Sequence, residues 1–373
     1  MGAYFPPRGD WARIAPAQAG LSAEALAAAA AFAQEHDSTW PRSLYLPDGR
    51  YIGNAYVGDK PPHDHPIGIV RPRGDPAGVV VRGGRIAAQW GDIARADTTY
   101  SAAKSYVALM AGVACDDGLI RSLDDRVADY ALDDAFTSAH NRAITWRHLL
   151  QQTSEWQGSV WGKPDSVDHN RQAGSQAADN SRKGTLRALE PPGTRWEYND
   201  VRVNRLALCL TQLFRRSLAD VLRERVMDPI GASSNWEWRG YDNARVTFDG
   251  REVESVSGGG HWGGGLFIPA EDHARVGLLV ARQGEWNGRR LISREYLREL
   301  ARPSSANPQY GFMWWLNTDR KLFPSVPEDG VFALGGGQHM VWVAPSLDLV
   351  AVMRWVDKPH CDALLGRIAA ACT

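Results

Sequence analysis

Apolar positions recur along this chain with two periods, and the change from one to the other marks out its elements. Residues 21–35, LSAEALAAAAAFAQE, predict an Ala-rich helix behind Ser22, whose hydroxyl suits an N-cap. Ala77 to Trp90 reads as two strands joined at Gly83-Gly84, a hairpin signal. Val107 to Cys115 has few polar residues, predicting a helix buried on most sides and ended by Gly118. The next hundred residues are mainly helical: a short element at Leu123 to Tyr130, a helix capped by Thr145 that contains Leu149 and Leu150, a helix from Val201 to Phe214, and another from Ser217 to near Asp228-Pro229. Between them, Gln157 to Lys183 is polar and too long for a simple connection, which points to a binding loop or lid. Strands return at Val253 to Ser257, Tyr310 to Leu316, Val331 to Leu334, Met340 to Val343 and Leu349 to Trp355, with helices at Pro269 to Arg282 and Asp362 to Ala371. The order of sheet, helical block and sheet predicts that residues 1–117 and 228–373 build one discontinuous α/β domain. Residues 118–227 would then form an inserted helical lobe, with the site in the cleft between.

Composition narrows the function classes. Of 373 residues, 44% are hydrophobic and 23% charged, which is a globular balance, and Lys+Arg 42 against Asp+Glu 43 leaves a net charge of -1. With no basic stripe, nucleic acid is excluded as the expected partner. Fifteen Trp are many, and Trp156, Trp161 and Trp262 fall in expected loops, where indoles can line a pocket or equally fill a core. The four Cys have no metal spacing and read as buried thiols, and His63-Asp64-His65 reads as a surface turn, so neither metal nor cofactor is expected. No apolar run reaches about 18 residues and no signal-type core opens the chain, so the sequence reads as soluble and cytoplasmic with no membrane partner.

The chemistry concentrates at Ser101-Ala-Ala-Lys104. Residues three apart at a helix start lie on one face, so the ammonium of Lys104 can reach the hydroxyl of Ser101. Serine needs such a neighbour to act as a nucleophile, and the free N–H groups of a helix start face the charge that develops. Rivals are few: Gly-x-Ser-x-Gly does not occur, Ser233-Ser234-Asn235 reads as a turn, and Ser154 ends a helix.

Three features together resemble the serine β-lactamase and penicillin-binding-protein superfamily. They are Ser101-x-x-Lys104 on an apolar helix, Tyr198 in the turn Pro191-Pro192-Gly193 to Asp200, and the Gly-rich edge Ala333-Leu334-Gly335-Gly336-Gly337 before Val341-Trp342-Val343. The chain is most similar to the class C-type branch that holds family VIII carboxylesterases and 6-aminohexanoate-dimer hydrolases. The resemblance implies an antiparallel sheet flanked by helices. It also implies a Ser101 acyl-enzyme, Lys104 as proton acceptor or electrostatic partner, and Tyr198 as base and later acid. An oxyanion hole would be made by the N–H of Ser101 and one of Gly336, Gly337 or Gln338. The substrate would be a small ester or amide.

Two departures from the family pattern shape the expectation. Where class C β-lactamases carry Lys-Thr-Gly, this chain has Gly335-Gly336-Gly337, an edge without a cation, which points to an esterase on uncharged acyl groups before a β-lactamase or a D-amino-acid peptidase. Where they carry Tyr-x-Asn, it has Tyr198-Asn199-Asp200, and Asp200 either pairs with Lys104, leaving Tyr198 as the base, or caps the next helix. His261 and Trp262 lie between Gly triplets and either line the pocket or form a turn. A non-catalytic binding or scaffold member of the same fold is the other function class.

Overall fold

The computed structural model describes residues 4–173 and 179–372. Its centre is a six-stranded antiparallel sheet, in the order Trp315–Leu316, Val331–Gly335, His339–Ala344, Leu349–Arg354, Ala77–Arg82, Arg85–Trp90. The hairpin at Gly83-Gly84 forms as expected, and its first strand pairs with the last strand of the chain, Ala77 opposite Arg354 and Arg82 opposite Leu349. Distant parts of the sequence therefore share one sheet.

Strict alternation places the two apolar faces. Val79, Val81, Val341, Val343, Val350 and Val352 point to one core, with the helices Ala103–Asp116 and Ala270–Ala281. Val80, Met340, Trp342, Ala351 and Met353 point to the other, with Ala23–Glu35 and Cys361–Ala370. Such a sheet, covered on both sides, gains roughly 1.5–3 kcal/mol for each large side chain removed from water. Among the described residues, no helix is long and apolar enough to cross a membrane.

Most expected elements form within a residue or two. Ser22 accepts from the N–H of Ala25 and caps its helix, and Thr145 and His148 make a reciprocal capping box for Trp146–Leu150. Three expectations change. Only Trp315–Leu316 of the 310–316 run is strand, because Tyr310, Phe312 and Trp314 fill the core from a tight loop in which the N–H of Gly311 bonds the carbonyl of Trp314. The strand expected at 253–257 lies at Arg251–Glu254, in a hairpin with Arg245–Phe248. Of the four thiols, Cys209 and Cys361 are buried, whereas Cys115 and Cys372 are partly exposed. Part of the 157–183 segment, residues 174–178, lies outside the described residues.

Candidate active site

Ser101 is placed by a change of backbone direction. The strand Asp97–Thr98 pairs with Phe267 and Ile268, Tyr100 turns the chain at φ 48°, and a single 3-10 turn, Tyr100–Ala102, feeds the helix that starts at Ala103. A tyrosine in the left-handed region is strained by about 1–3 kcal/mol and needs its surroundings to hold it. Tyr51 does so by donating its hydroxyl to that of Tyr100 at 3.1 Å, while Trp40 meets the ring edge-on at 5.2 Å. From the other side comes Gly335, whose Cβ, if it had one, would fall 1.9 Å from the carbonyl oxygen of Thr99. Only glycine lets this strand end lie against the serine turn.

The helix, buried from Ala103 to Ala114, holds the lysine rigidly. Lys104 Nζ donates to Ser101 Oγ at 2.8 Å and sits 2.6 Å from Asp200 Oδ1, and the side chains of Lys104 and Asp200 are each 1% exposed. The Asp200–Lys104 pairing thus forms, and Asp200 is not the helix cap: Asn199 is, its Oδ1 accepting from the N–H of Arg202 at 3.1 Å. The Tyr198 ring lies under both cations, 4.8 Å from Lys104 Nζ and 5.1 Å from Arg171 Cζ. Burial pushes the Asp200 carboxyl up, but Arg171, Lys104 and His261 together hold it well below the usual carboxylate range.

Behind this group stands a layer that sequence reasoning missed. Arg171 Nη1 is 3.2 Å from Asp200 Oδ1 and 3.4 Å from Asp168 Oδ2, and the N–H of Asp200 donates to Asp168 Oδ2 at 2.7 Å. Lys183 contacts both Asp168 and Asp59, while His261 faces Asp200 Oδ2 at 2.5 Å through Nδ1 and Asp59 Oδ2 at 3.3 Å through Nε2. Asp59, Asp168 and His261 are near enough together to ligate an ion, but the Lys183 ammonium already lies against both carboxylates and supplies the positive charge an ion would bring. The available signal was the charge of the 157–183 segment, Asp165, Asp168, Arg171 and Lys183 in a loop already marked as a binding element.

Ser101 opens into a cavity of about 230 Å³ walled by Tyr198, Arg171, Tyr56, Trp315 and Lys358. Of the expected oxyanion residues, Gly336 and Gln338 border it together with Gly335, whereas Gly337 does not: its Cα packs against the Trp355 ring, and a Cβ there would meet that ring at 2.2 Å. None of the expected indoles lines it. Trp156 is core and donates to the carbonyl of Ala135, Trp262 is core and donates to that of His63, and Trp161 packs partly buried against the same core. Each is placed by burial of its ring; Trp315, in a strand, is the indole at the site. His261 acts on the site through Asp200 and does not border the cavity. The glycine edge itself carries no cation, but Arg171 and Lys358, the latter from the segment after the last strand, line the same cavity. Ser154 and Ser233 are tied up elsewhere, Ser154 Oγ accepting from the N–H of Trp156 and Ser233 Oγ donating to Asp272.

The chain belongs to the beta-lactamase family, whose family model matches residues 71–360. No curated protein matches it. Among solved structures it is similar to a penicillin-binding protein homolog from Caulobacter crescentus, with 14% identity over 79% of this chain and 92% of that one and a TM-score of 0.57. It is also similar to a family VIII carboxylesterase, at 18% identity over 80% and 92% with a TM-score of 0.56. A third is a beta-lactamase from Mycobacterium bovis, at 19% identity over 80% and 92% with a TM-score of 0.54. At these identities the likeness is one of fold. Tyr56, Asp59 and the Tyr51–Tyr100 contact lie before or reach across the start of the family-matched region, so the segment ahead of it adds to the site.

Proposed function

We propose that this protein is a serine hydrolase that cleaves a carboxylic ester or amide through an acyl-enzyme on Ser101. The observation that carries this reading is the continuous contact Ser101 Oγ, Lys104 Nζ, Asp200 Oδ1, at 2.8 and 2.6 Å, with its serine end open to a cavity. In this reading Lys104, lying against the Asp200 carboxylate, is the electrostatic partner, and Tyr198, whose ring lies beside its Nζ, is the base. Tyr198 as phenolate takes the Ser101 proton as Oγ bonds to the carbonyl carbon. The negative oxygen is met by the N–H of Ser101 and one from the turn at Gly335 to Gln338, and Tyr198 returns the proton to the leaving alkoxide or amine. Water then repeats the sequence on the acyl-enzyme.

The likeness to a family VIII carboxylesterase favours an ester over a β-lactam. Turnover of p-nitrophenyl esters, short amides and nitrocefin, beside labelling by a fluorophosphonate, tests the proposal. Labelling with fastest turnover of esters supports it. Failure of the probe to label and of every substrate to turn over would favour a binding member of the fold, and nitrocefin turned over as efficiently as p-nitrophenyl butyrate would favour a β-lactamase.

A further inference from the structure

The space at Ser101 continues past the glycine turn. Leu334, Gly335, Gln338 and Lys358 border the serine cavity and also a second cavity of about 400 Å³, so the two adjoin across these residues. The second is walled by Leu322, Phe323, Leu334, Met340 and Cys361, of which all but Leu334 are buried. Of its polar groups, His339 is buried with neither ring nitrogen partnered, and burial holds it well below the usual imidazole range, so it is uncharged. Asp362 accepts from the N–H and hydroxyl of Ser325, and burial pushes the Cys361 thiol up to about 12, so it is no nucleophile at neutral pH. What remains is an apolar chamber with a lysine at its junction with the active site.

The charges at that junction are unequal. Of the two cations lining the serine cavity, Arg171 is neutralised by Asp168 and Asp200. Lys358 has no carboxylate within 4 Å among the described residues and is only partly exposed. A lysine can lay its methylenes along an apolar wall while its ammonium stays at the mouth, and there it attracts an anion. Resting on the hydrolase reading above, we infer that one half of the substrate carries a carboxylate met by Lys358 and an apolar arm lodged in the chamber behind it. The cation that the glycine edge lacks is supplied by Lys358 at the same junction, and the chamber makes it selective for an anion with a hydrophobic part.

Binding tests this apart from catalysis. In the Ser101→Ala protein, octanoate should bind more tightly than octanamide, and octanoate more tightly than butanoate by about three- to fourfold for each methylene that enters the chamber. Adding Lys358→Gln should weaken octanoate about three- to tenfold, the modest range expected for a partly exposed charge, and octanamide less. Raised salt should weaken octanoate selectively. In the enzyme, the preference for the mono-p-nitrophenyl ester of 2-hexylsuccinate, whose branch can enter the chamber while its carboxylate meets Lys358, over the methyl-capped twin should fall by a similar factor on Lys358→Gln and reverse on Lys358→Glu. Equal binding of octanoate and octanamide, or a preference indifferent to both Lys358 variants, would overturn the inference while leaving the hydrolase intact. A Lys358-dependent preference for octanoate in a protein that no fluorophosphonate labels would uphold the subsite and overturn the hydrolase.

Discussion

Two buried clusters of charge lie side by side along residues 155–205, and they are made of the same materials. In one, Lys104, Arg171, Lys183 and His261 meet Asp59, Asp168 and Asp200. In the other, Arg187 and Arg202 meet Glu155, Glu197 and Asp165, with His169 on Asp165 at 2.9 Å. Both displace carboxyl titrations. Burial pushes Glu155 up, but Arg187 and Arg202 bring it down to about 2. The difference is in how each cluster ends. The Glu155 cluster closes on backbone and on itself, with Arg202 Nε on the carbonyl of Trp156 and the N–H of Glu190 on Glu155. The Lys104 cluster ends on a serine hydroxyl at a cavity wall. A perturbed acid in a buried network is therefore no mark of a site; an unclosed end on a nucleophile is.

The largest effect should come from removing that end. Ser101→Ala should cost at least about 10³-fold in kcat and abolish fluorophosphonate labelling, with the melting temperature changed only modestly, since the hydroxyl faces the cavity and its one contact, Lys104 Nζ, keeps Asp200 as a partner. Labelling that persists at Ser154 or Ser234, read by peptide mapping, would break the comparison at its first term.

The closed cluster should answer in stability. Glu155→Gln leaves Arg187 and Arg202 facing a neutral amide in a buried place, and should cost about 2–4 kcal/mol of stability with kcat/KM of the folded protein kept. The pH dependence has a definite sign. Because the folded carboxyl titrates near 2 and an unpaired one near 4.5, the Glu155 contribution is complete above about 4.5 and drains as pH falls toward 2. The stability gap between wild type and variant, followed by denaturant unfolding, should narrow over that window. A gap that stayed constant would show that the glutamate acts through packing, and an equal loss of kcat would show that the two clusters are one.

What could be read in the sequence was whatever obeys a short period. Ser101 and Lys104 are three apart and the sheet strands alternate, so local geometry fixes each, whereas Tyr198 was identified by resemblance to the family and Asp200 was left between a pair and a cap. Arg171, Asp168, Lys183 and Asp59 come from irregular segments, where nothing in the spacing says which way a side chain turns. Indoles posed the opposite difficulty: Trp156 and Trp315 have the same composition signal, yet only packing decides that one fills the core and the other borders the serine cavity. The glycine run is intermediate. Its role beside the serine was legible, but the strand had to be placed before Gly335 could be seen against Thr99 and Gly337 under Trp355.

The smallest and sharpest effect concerns Asp200, where the open cluster can be altered without touching the nucleophile. Its Oδ1 faces Lys104 and Arg171 and its Oδ2 faces His261, while Asn199 does the capping, so Asp200→Asn removes a charge and leaves the helix start intact. Four cationic or protonatable groups then face two carboxylates, Asp59 and Asp168, where they had faced three. Relative to wild type, the Lys104 ammonium loses the carboxylate 2.6 Å away and is less firmly held beside Ser101 Oγ. At its optimum, kcat/KM should fall only a few-fold. Stability should fall at neutral pH, and the loss should shrink in acid: a carboxyl held well below its ordinary range stabilises the fold fully above that range and stops doing so as pH falls through its folded value. A kcat/KM equal to that of wild type would mean that Lys104 is held in place without Asp200, through the hydroxyl of Ser101 and the face of Tyr198 alone. The contrast between an open and a closed cluster would then rest on Ser101 and not on the charges behind it.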